Sequence, residues 1–289
     1  MINGNRPYHR FSAALAVSRP RFWLYLAGPV LIGIVYGASS TTDLLTVPSL
    51  LLVSYFLVPA NLFLYGVNDI YDADIDQLNP KKYTQEQRWM GDSKLSGIIG
   101  ASGLLGITMF AFVPQIAWWY LLAFFVLAIG YSAPPLRFKT TPFLDSVSNG
   151  LYILPGIAAY VSFAGTHPPL AVVLGAWFWC MGMHTFSAIP DIRADLRAGI
   201  QTTATLLGEN RTLAYCFLAW GAAATAFLSL DWRAGALLFT YPLAILAIWV
   251  SGVSVSRAYW WFPVINGVIG AVLTMGGLWQ LTGGMEVIA

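Results

Sequence analysis

Apolar runs of about 15 to 22 residues, separated by short polar stretches, recur along the whole chain. A membrane-crossing helix needs roughly 20 mostly apolar residues, fewer where Trp or Tyr ends it at the interface. The pattern predicts nine such helices, at about Phe22–Tyr36, Ser49–Gly66, Leu95–Val113, Ile116–Tyr131, Leu144–Phe163, Leu170–Ile189, Leu213–Leu230, Ala234–Val250 and Trp260–Leu281. Gly and Pro fall inside these runs, as membrane helices tolerate, and the sustained alternation of a membrane β-barrel is absent. The expected fold is an all-α membrane protein with nine transmembrane helices.

Composition points the same way. A soluble chain carries about a quarter Asp, Glu, Lys and Arg; here 15 bases and 13 acids are spread over 289 residues, with 57% hydrophobic residues and a mean hydropathy of +0.66. So little charge excludes a soluble enzyme, a disordered chain and a nucleic-acid binder. Cys180 and Cys216 lie inside apolar runs and read as small buried hydrophobes, not a disulfide. No convincing cleavage site follows the basic segment Met1–Arg21, so the first run is expected to remain as a span.

Sorting the bases by connection fixes an expected orientation, because cytoplasmic loops hold the excess of Lys and Arg. The N-terminal tail and alternate loops contain fourteen of the fifteen bases, and the opposite loops only Arg233. The N-terminus is therefore expected in the cytoplasm and the C-terminus outside. The two longest loops, about 67–94 and 190–212, fall on the basic side with most of the acids.

Two acidic clusters stand out. Asn68-Asp69-Ile70-Tyr71-Asp72-Ala73-Asp74-Ile75-Asp76 ends the second run. At about 100° per residue, Asp69, Asp72 and Asp76 share one helical face, with Asn68 at its edge and Asp74 pointing away. The sixth run ends in Asp191-Ile192-Arg193-Ala194-Asp195, with Gly199 four residues on. Acids at helix C-termini oppose the dipole, so capping explains neither cluster. Either alone reads equally as a solvated loop start; the pair, at matching spacing and on one side, points to a shared cation. Hard oxygen donors suit Mg²⁺, which binds few carboxylates and keeps water or phosphate ligands. Between the clusters, Pro134 and Pro135 stop the fourth run and project Arg137 and Lys139, which could hold phosphate oxygens or simply flank a cytoplasmic helix end. Arg19 and Arg21, beside Pro20, carry the same ambiguity, as do Lys81, Lys82 and Arg88. Tyr131 alone reads as an interface anchor. Asp145 reads as a helix cap, Asn149 as a cap or a site residue, and His184 as a packed residue or a proton acceptor two turns before Asp191.

Asn-Asp-x-x-Asp-x-x-x-Asp at Asn68–Asp76, Asp-x-x-x-Asp-x-x-x-Gly at Asp191–Gly199, the Tyr131–Lys139 segment and the nine runs resemble the UbiA superfamily of intramembrane prenyltransferases over nearly the whole chain. The resemblance implies one domain, residues 1–289, whose helices surround a central cavity capped by cytoplasmic loops. It implies two Mg²⁺ ions joining a prenyl diphosphate to Asp69, Asp72, Asp76, Asp191 and Asp195, with Asn68, Arg137 and Lys139 on the diphosphate and Tyr131 by the reacting group. Quinone-precursor members commonly carry Arg-Pro after the first motif. Here the loop reads Asn79-Pro80-Lys81-Lys82, closer to the lycopene elongase branch, which adds five-carbon units towards C50 carotenoids. The implied partners are the bilayer, a prenyl diphosphate (dimethylallyl in that branch) and lycopene. An aromatic or quinone-precursor acceptor is the alternative within the family, and a cation-coupled secondary transporter is the alternative outside it. Transporter sites, however, lie near the membrane midplane at broken helices, whereas these acids gather at one face.

Overall fold

The structure, a computed structural model, describes residues 7–76 and 91–283. Among these residues every regular element is helical. The α-helices are α1 (Pro7–Val17), α2 (Leu24–Gly37), α3 (Val47–Leu57), α4 (Pro59–Asp76), α5 (Ser93–Thr108), α6 (Gln115–Ser132), α7 (Leu144–Val147), α8 (Leu154–Ala164), α9 (Leu170–Ala188), α10 (Ile192–Arg197), α11 (Thr203–Leu228), α12 (Trp232–Leu238), α13 (Thr240–Ser251), α14 (Val255–Tyr259) and α15 (Phe262–Leu281). Eight helical stretches among the described residues are long and apolar enough to cross a membrane. The first expected span, α2, has 14 residues, or about 21 Å at 1.5 Å per residue. It falls short of the roughly 30 Å hydrocarbon core on length alone. It runs beside α15, with the Arg21 guanidinium over the Trp260 ring at its start and Tyr36 donating to the Leu273 carbonyl near its end.

Several boundaries differ from the sequence reading, and each has a local cause. The second expected run is broken at Val58, where Pro59 begins a new helix, and α4 then continues well past Gly66. The first acidic motif therefore lies on a helix, as its one-faced spacing implied, and the connection expected from residue 67 does not begin there. The expected loop 190–212 is likewise mostly helix: α10 and the first turns of α11 occupy it, with a kink at Gly208, whose φ is 71°. The fifth run is not one helix. Between α7 and α8 a 3-10 stretch, Ser148–Tyr152, takes over. Gly150 lies flat against the Trp177 indole there, and Pro155 restarts the α-helix.

The side chains form two large apolar clusters. One is built mainly from α2, α3, α4, α6 and α8 around Phe56, Phe124 and Leu121; the other comes from α9, α11, α13 and α15 around Trp220, Tyr241 and Phe262. Trp179 packs against both. Large apolar residues on the perimeter, among them Trp119, Leu218 and Val250, are exposed, as expected of side chains that face lipid. α2 and α8 approach closely because small residues face each other: a Cβ on Gly156 would meet the Pro29 carbonyl oxygen at 2.5 Å. Without a hydrophobic force between helices in lipid, such backbone contact supplies the packing.

Gly156→Leu should therefore lower the thermal midpoint of the detergent-solubilised protein, overpacking costing about 1–3 kcal/mol. Gly100→Ala, where an added Cβ meets nothing within 4 Å, should leave the midpoint unchanged or raise it slightly. Equal losses from both would contradict this packing.

Candidate active site

The end of α4 places Asp69 and Asp72 on its packed side, 2% and 6% exposed. An isolated carboxylate at such a position is costly, so each is paired with cations. Arg19 donates from Nη2 to Asp69 Oδ1 at 2.9 Å, and its guanidinium lies 4.6 Å from the centre of the Tyr65 ring. Lys139 Nζ donates to Asp72 Oδ1, and Arg137 Nη2 lies 3.7 Å from the same oxygen. Asp69 and Asp72 are thus neutralised from two directions, by the segment before α2 and the segment after α6.

The backbone bearing these cations is unusual. Arg19 and Arg137 have φ values of 52° and 39°, and Phe143, with φ 67°, is the third such non-glycine residue among those described. The left-handed region costs a side-chain-bearing residue of order 1 kcal/mol or more and persists where surroundings dictate it. In Phe143 the reason is visible: its N–H donates to Thr203 Oγ1 at 2.7 Å.

The second motif begins where Pro190 ends α9. A 3-10 turn, Ile189–Asp191, leads into α10. Asp195 follows one turn on, and its carbonyl accepts from Ile200 N at 2.9 Å. Gly199, with φ 70°, permits that reversal; this explains the glycine four residues after the second acid.

A cavity of about 200 Å³ lies between the two halves of the bundle. Successive turns of α9, and the 3-10 turn after it, line the cavity from apolar to acidic, through Trp179–Cys180, Met183–His184, Ser187 and then Asp191, and Arg19 and Asn68 also line it. Its wall is aromatic. Tyr25 and Tyr152 meet edge to face at 6.3 Å, Phe22 lies against Tyr25 at 5.3 Å, and the Tyr65 and Tyr152 hydroxyls are 3.3 Å apart.

Among the expected site residues, Asn68, Tyr131 and Asp191 line this cavity. Asp69 joins it through Arg19, which lines the cavity itself, and Asp72 is bound to Lys139 and Arg137. Asp195 is half-buried on α10 and not part of the cavity wall. The Asp76 side chain, and the loop with Lys81, Lys82 and Arg88, lie outside the described residues. Asp145 caps a different helix from the one expected: its carboxylate accepts from Thr203 N at 2.9 Å, at the start of α11. Asn149 lines the cavity.

Among the described residues no three His, Cys, Asp or Glu side chains form a metal-sized cluster. The acids instead come from two segments: Asp191 lines the cavity, while Asp69 and Asp72 are paired with cations, of which Arg19 also lines it. This arrangement fits Mg²⁺ shared with a phosphate ligand, which needs only one or two protein carboxylates. Arg137 Nε, buried and without a hydrogen-bond partner, is a donor that fits the anion.

The sequence profile of the UbiA prenyltransferase family matches residues 26–262, a stretch containing both acidic motifs and the Tyr131–Lys139 segment. The chain belongs to this family. It is 59% identical over 268 residues to the lycopene elongase/hydratase of Haloferax volcanii, covering 93% of this chain and 89% of that one. With the lycopene elongase/hydratase of Halobacterium salinarum it shares 54% over 274 residues, 95% of this chain and all of the other. A UbiA homologue from Archaeoglobus fulgidus, solved with DMAPP and Mg²⁺, shares the fold with a TM-score of 0.75 at 21% identity, covering 93% of this chain and 99% of that one. This UbiA prenyltransferase is thus an integral multi-pass membrane enzyme of the lycopene elongase-like branch.

Sequence reasoning left Arg19, Asn149 and His184 unresolved and did not single out the cavity tyrosines Tyr25, Tyr65 and Tyr152. Arg19 lies 50 positions from Asp69 and carries no motif of its own; only the adjacent Pro20 and the uneven distribution of bases marked it. A double-mutant cycle tests the pair. Arg19→Ala and Asp69→Asn should each lower stability in detergent, a broken buried pair costing about 3–5 kcal/mol. The double variant should lose less than the sum, and strict additivity would mean that the two side chains do not interact.

Proposed function

We propose that this enzyme transfers a dimethylallyl group from its diphosphate to lycopene, in the formation of C50 carotenoids, with water completing the new end group. The observation that carries this reading is an aromatic-walled cavity that has one residue of each acidic motif, Asn68 and Asp191, in its wall together with Arg19, the partner of Asp69. The names of the relatives above 50% identity support the acceptor, and the DMAPP and Mg²⁺ of the distant structural neighbour support the donor and the ion.

In this reading Asp69, Asp72 and Asp76 on one side and Asp191 and Asp195 on the other hold two Mg²⁺ ions, which when bound neutralise the diphosphate and make it a leaving group. Asn68, Arg137, Lys139 and Arg19 bind the diphosphate oxygens. As a diphosphate and its metals occupy the site, Lys139 and Arg137 exchange Asp72 for phosphate oxygens, so no charge is left uncompensated. Tyr25, Tyr65 and Tyr152 exclude water and offer π-faces to the allylic cation, while Tyr131 stands beside the reacting group. The lycopene terminal double bond attacks this cation, forming a C–C bond and leaving a tertiary cation. The acceptor enters from the bilayer, and the single domain works with its site and N-terminus at the cytoplasmic face and its C-terminus outside, as the distribution of bases supports.

Purified enzyme given dimethylallyl diphosphate and lycopene should release diphosphate only with Mg²⁺ and form C45 and C50 products. Asp72→Ala and Asp191→Ala should each reduce this by 100-fold or more. Lycopene left unchanged while an aromatic acceptor is prenylated would overturn the acceptor, and full activity in both variants would overturn the site.

A further inference from the structure

Addition of a prenyl cation to a carbon–carbon double bond only relocates positive charge; a turnover ends when water adds or a proton is lost, and either step needs a base. In the proposed reading the acids of the two motifs hold Mg²⁺, so the base comes from elsewhere in the cavity. His184 is the one histidine among the described residues that lines it. It lies seven residues before Asp191 on α9, about 10 Å along the helix and so beyond the diphosphate, among the aromatic residues.

Its surroundings are built for a proton. His184 Nε2 is 3.5 Å from the Tyr131 hydroxyl and 3.7 Å from Asp145 Oδ2. Asp145 is fully buried within a membrane-spanning stretch, an expensive place for a carboxylate. Thr203 fixes it, donating from N to Oδ2 at 2.9 Å and from Oγ1 to Oδ1. Asn149, also in the cavity wall, donates to the Asp145 carbonyl at 2.6 Å. Capping α11 requires only the Thr203 contacts; it does not require a histidine facing both this carboxylate and the cavity.

We propose that Tyr131 and His184, with Asp145 as positioning residue, form the base that activates the water ending each turnover. The proposal rests on the elongase reading above. The water oxygen forms a C–O bond to the tertiary carbon, and one of its O–H bonds breaks with the electron pair staying on oxygen. That proton passes to the Tyr131 oxygen as the Tyr131 proton passes to His184 Nε2. The imidazolium then faces Asp145, whose charge stabilises it; no oxidation or reduction occurs. An imidazole suits this duty because its ring nitrogen can take up a proton and later release it.

The test compares wild type with His184→Gln, Asp145→Asn and Tyr131→Phe, each purified as a monodisperse species, on dimethylallyl diphosphate and lycopene. Mass spectrometry reads the ratio of hydrated to dehydrated C45 product. That ratio should fall at least tenfold in His184→Gln and in Asp145→Asn, because the cation then resolves by losing a proton to solvent or to the released diphosphate, and it should also fall in Tyr131→Phe. A purely structural role would lower total turnover without moving the ratio. If Asp145→Asn does not fold, His184→Gln decides alone. A wild-type ratio in His184→Gln, or wild type that yields only the dehydrated C45 product, overturns the proposal and leaves prenyl transfer standing. Wild type that forms no C45 product overturns the elongase reading and the proposal with it.

Discussion

Placing carboxylates at the edge of a hydrocarbon medium is the constraint on which the rest of the structure depends. An acid at the bilayer centre costs about 2.5–3.5 kcal/mol on insertion scales and less towards the interface. Asp69 and Asp72 are nonetheless almost completely buried. Arg19, Arg137 and Lys139 make this tolerable, and they arrive from segments far apart in sequence. The left-handed backbone at Arg19 and Arg137 follows from the need to turn a chain leaving one helix sharply enough to present a cation to α4.

The same need explains where the helices break. A bundle of uninterrupted helices would fill its interior with packed side chains. Here Pro59, Pro190 and the 3-10 stretch Ser148–Tyr152 interrupt three of them, and the cavity is lined from residues at or near two of these breaks, Asn149, Tyr152 and Asp191. Two apolar clusters, one on each side, hold the walls apart while Trp179 joins them. Polar groups near the breaks find partners: Asp145 receives the start of α11, and Ser146 Oγ lies 2.9 Å from Thr185 Oγ1. The chemistry proposed for this cavity uses that layout, with charge at one end, aromatic faces along the wall and one imidazole between.

Hydropathy sufficed to read a helical membrane protein, because runs of this length have no other stable form in lipid. The two acidic motifs were legible as well, since in a chain with 13 acids matched clusters at two helix ends are conspicuous. Hydropathy could not show that α4 continues through Asp76 or that α10 and the start of α11 occupy residues 192–197 and 203–212, because polar helix in an interfacial region has no apolar run to mark it. Contacts distant in sequence were equally hidden. Nothing near Arg19 announces Asp69, and Asp145 resembles a cap of its own helix until Thr203, 58 positions later, is folded against it.

The central claim is that carboxylates neutralised by arginine and lysine become a diphosphate site when Mg²⁺ arrives. Calorimetric titration of wild-type enzyme with an unreactive thio analogue of dimethylallyl diphosphate, with and without Mg²⁺, tests it most directly. The account predicts that tight binding requires Mg²⁺, and that Asp72→Asn abolishes the Mg²⁺ dependence along with most of the affinity. Equal binding in the presence of EDTA, or an Asp72→Asn variant that retains Mg²⁺-dependent affinity, would contradict it.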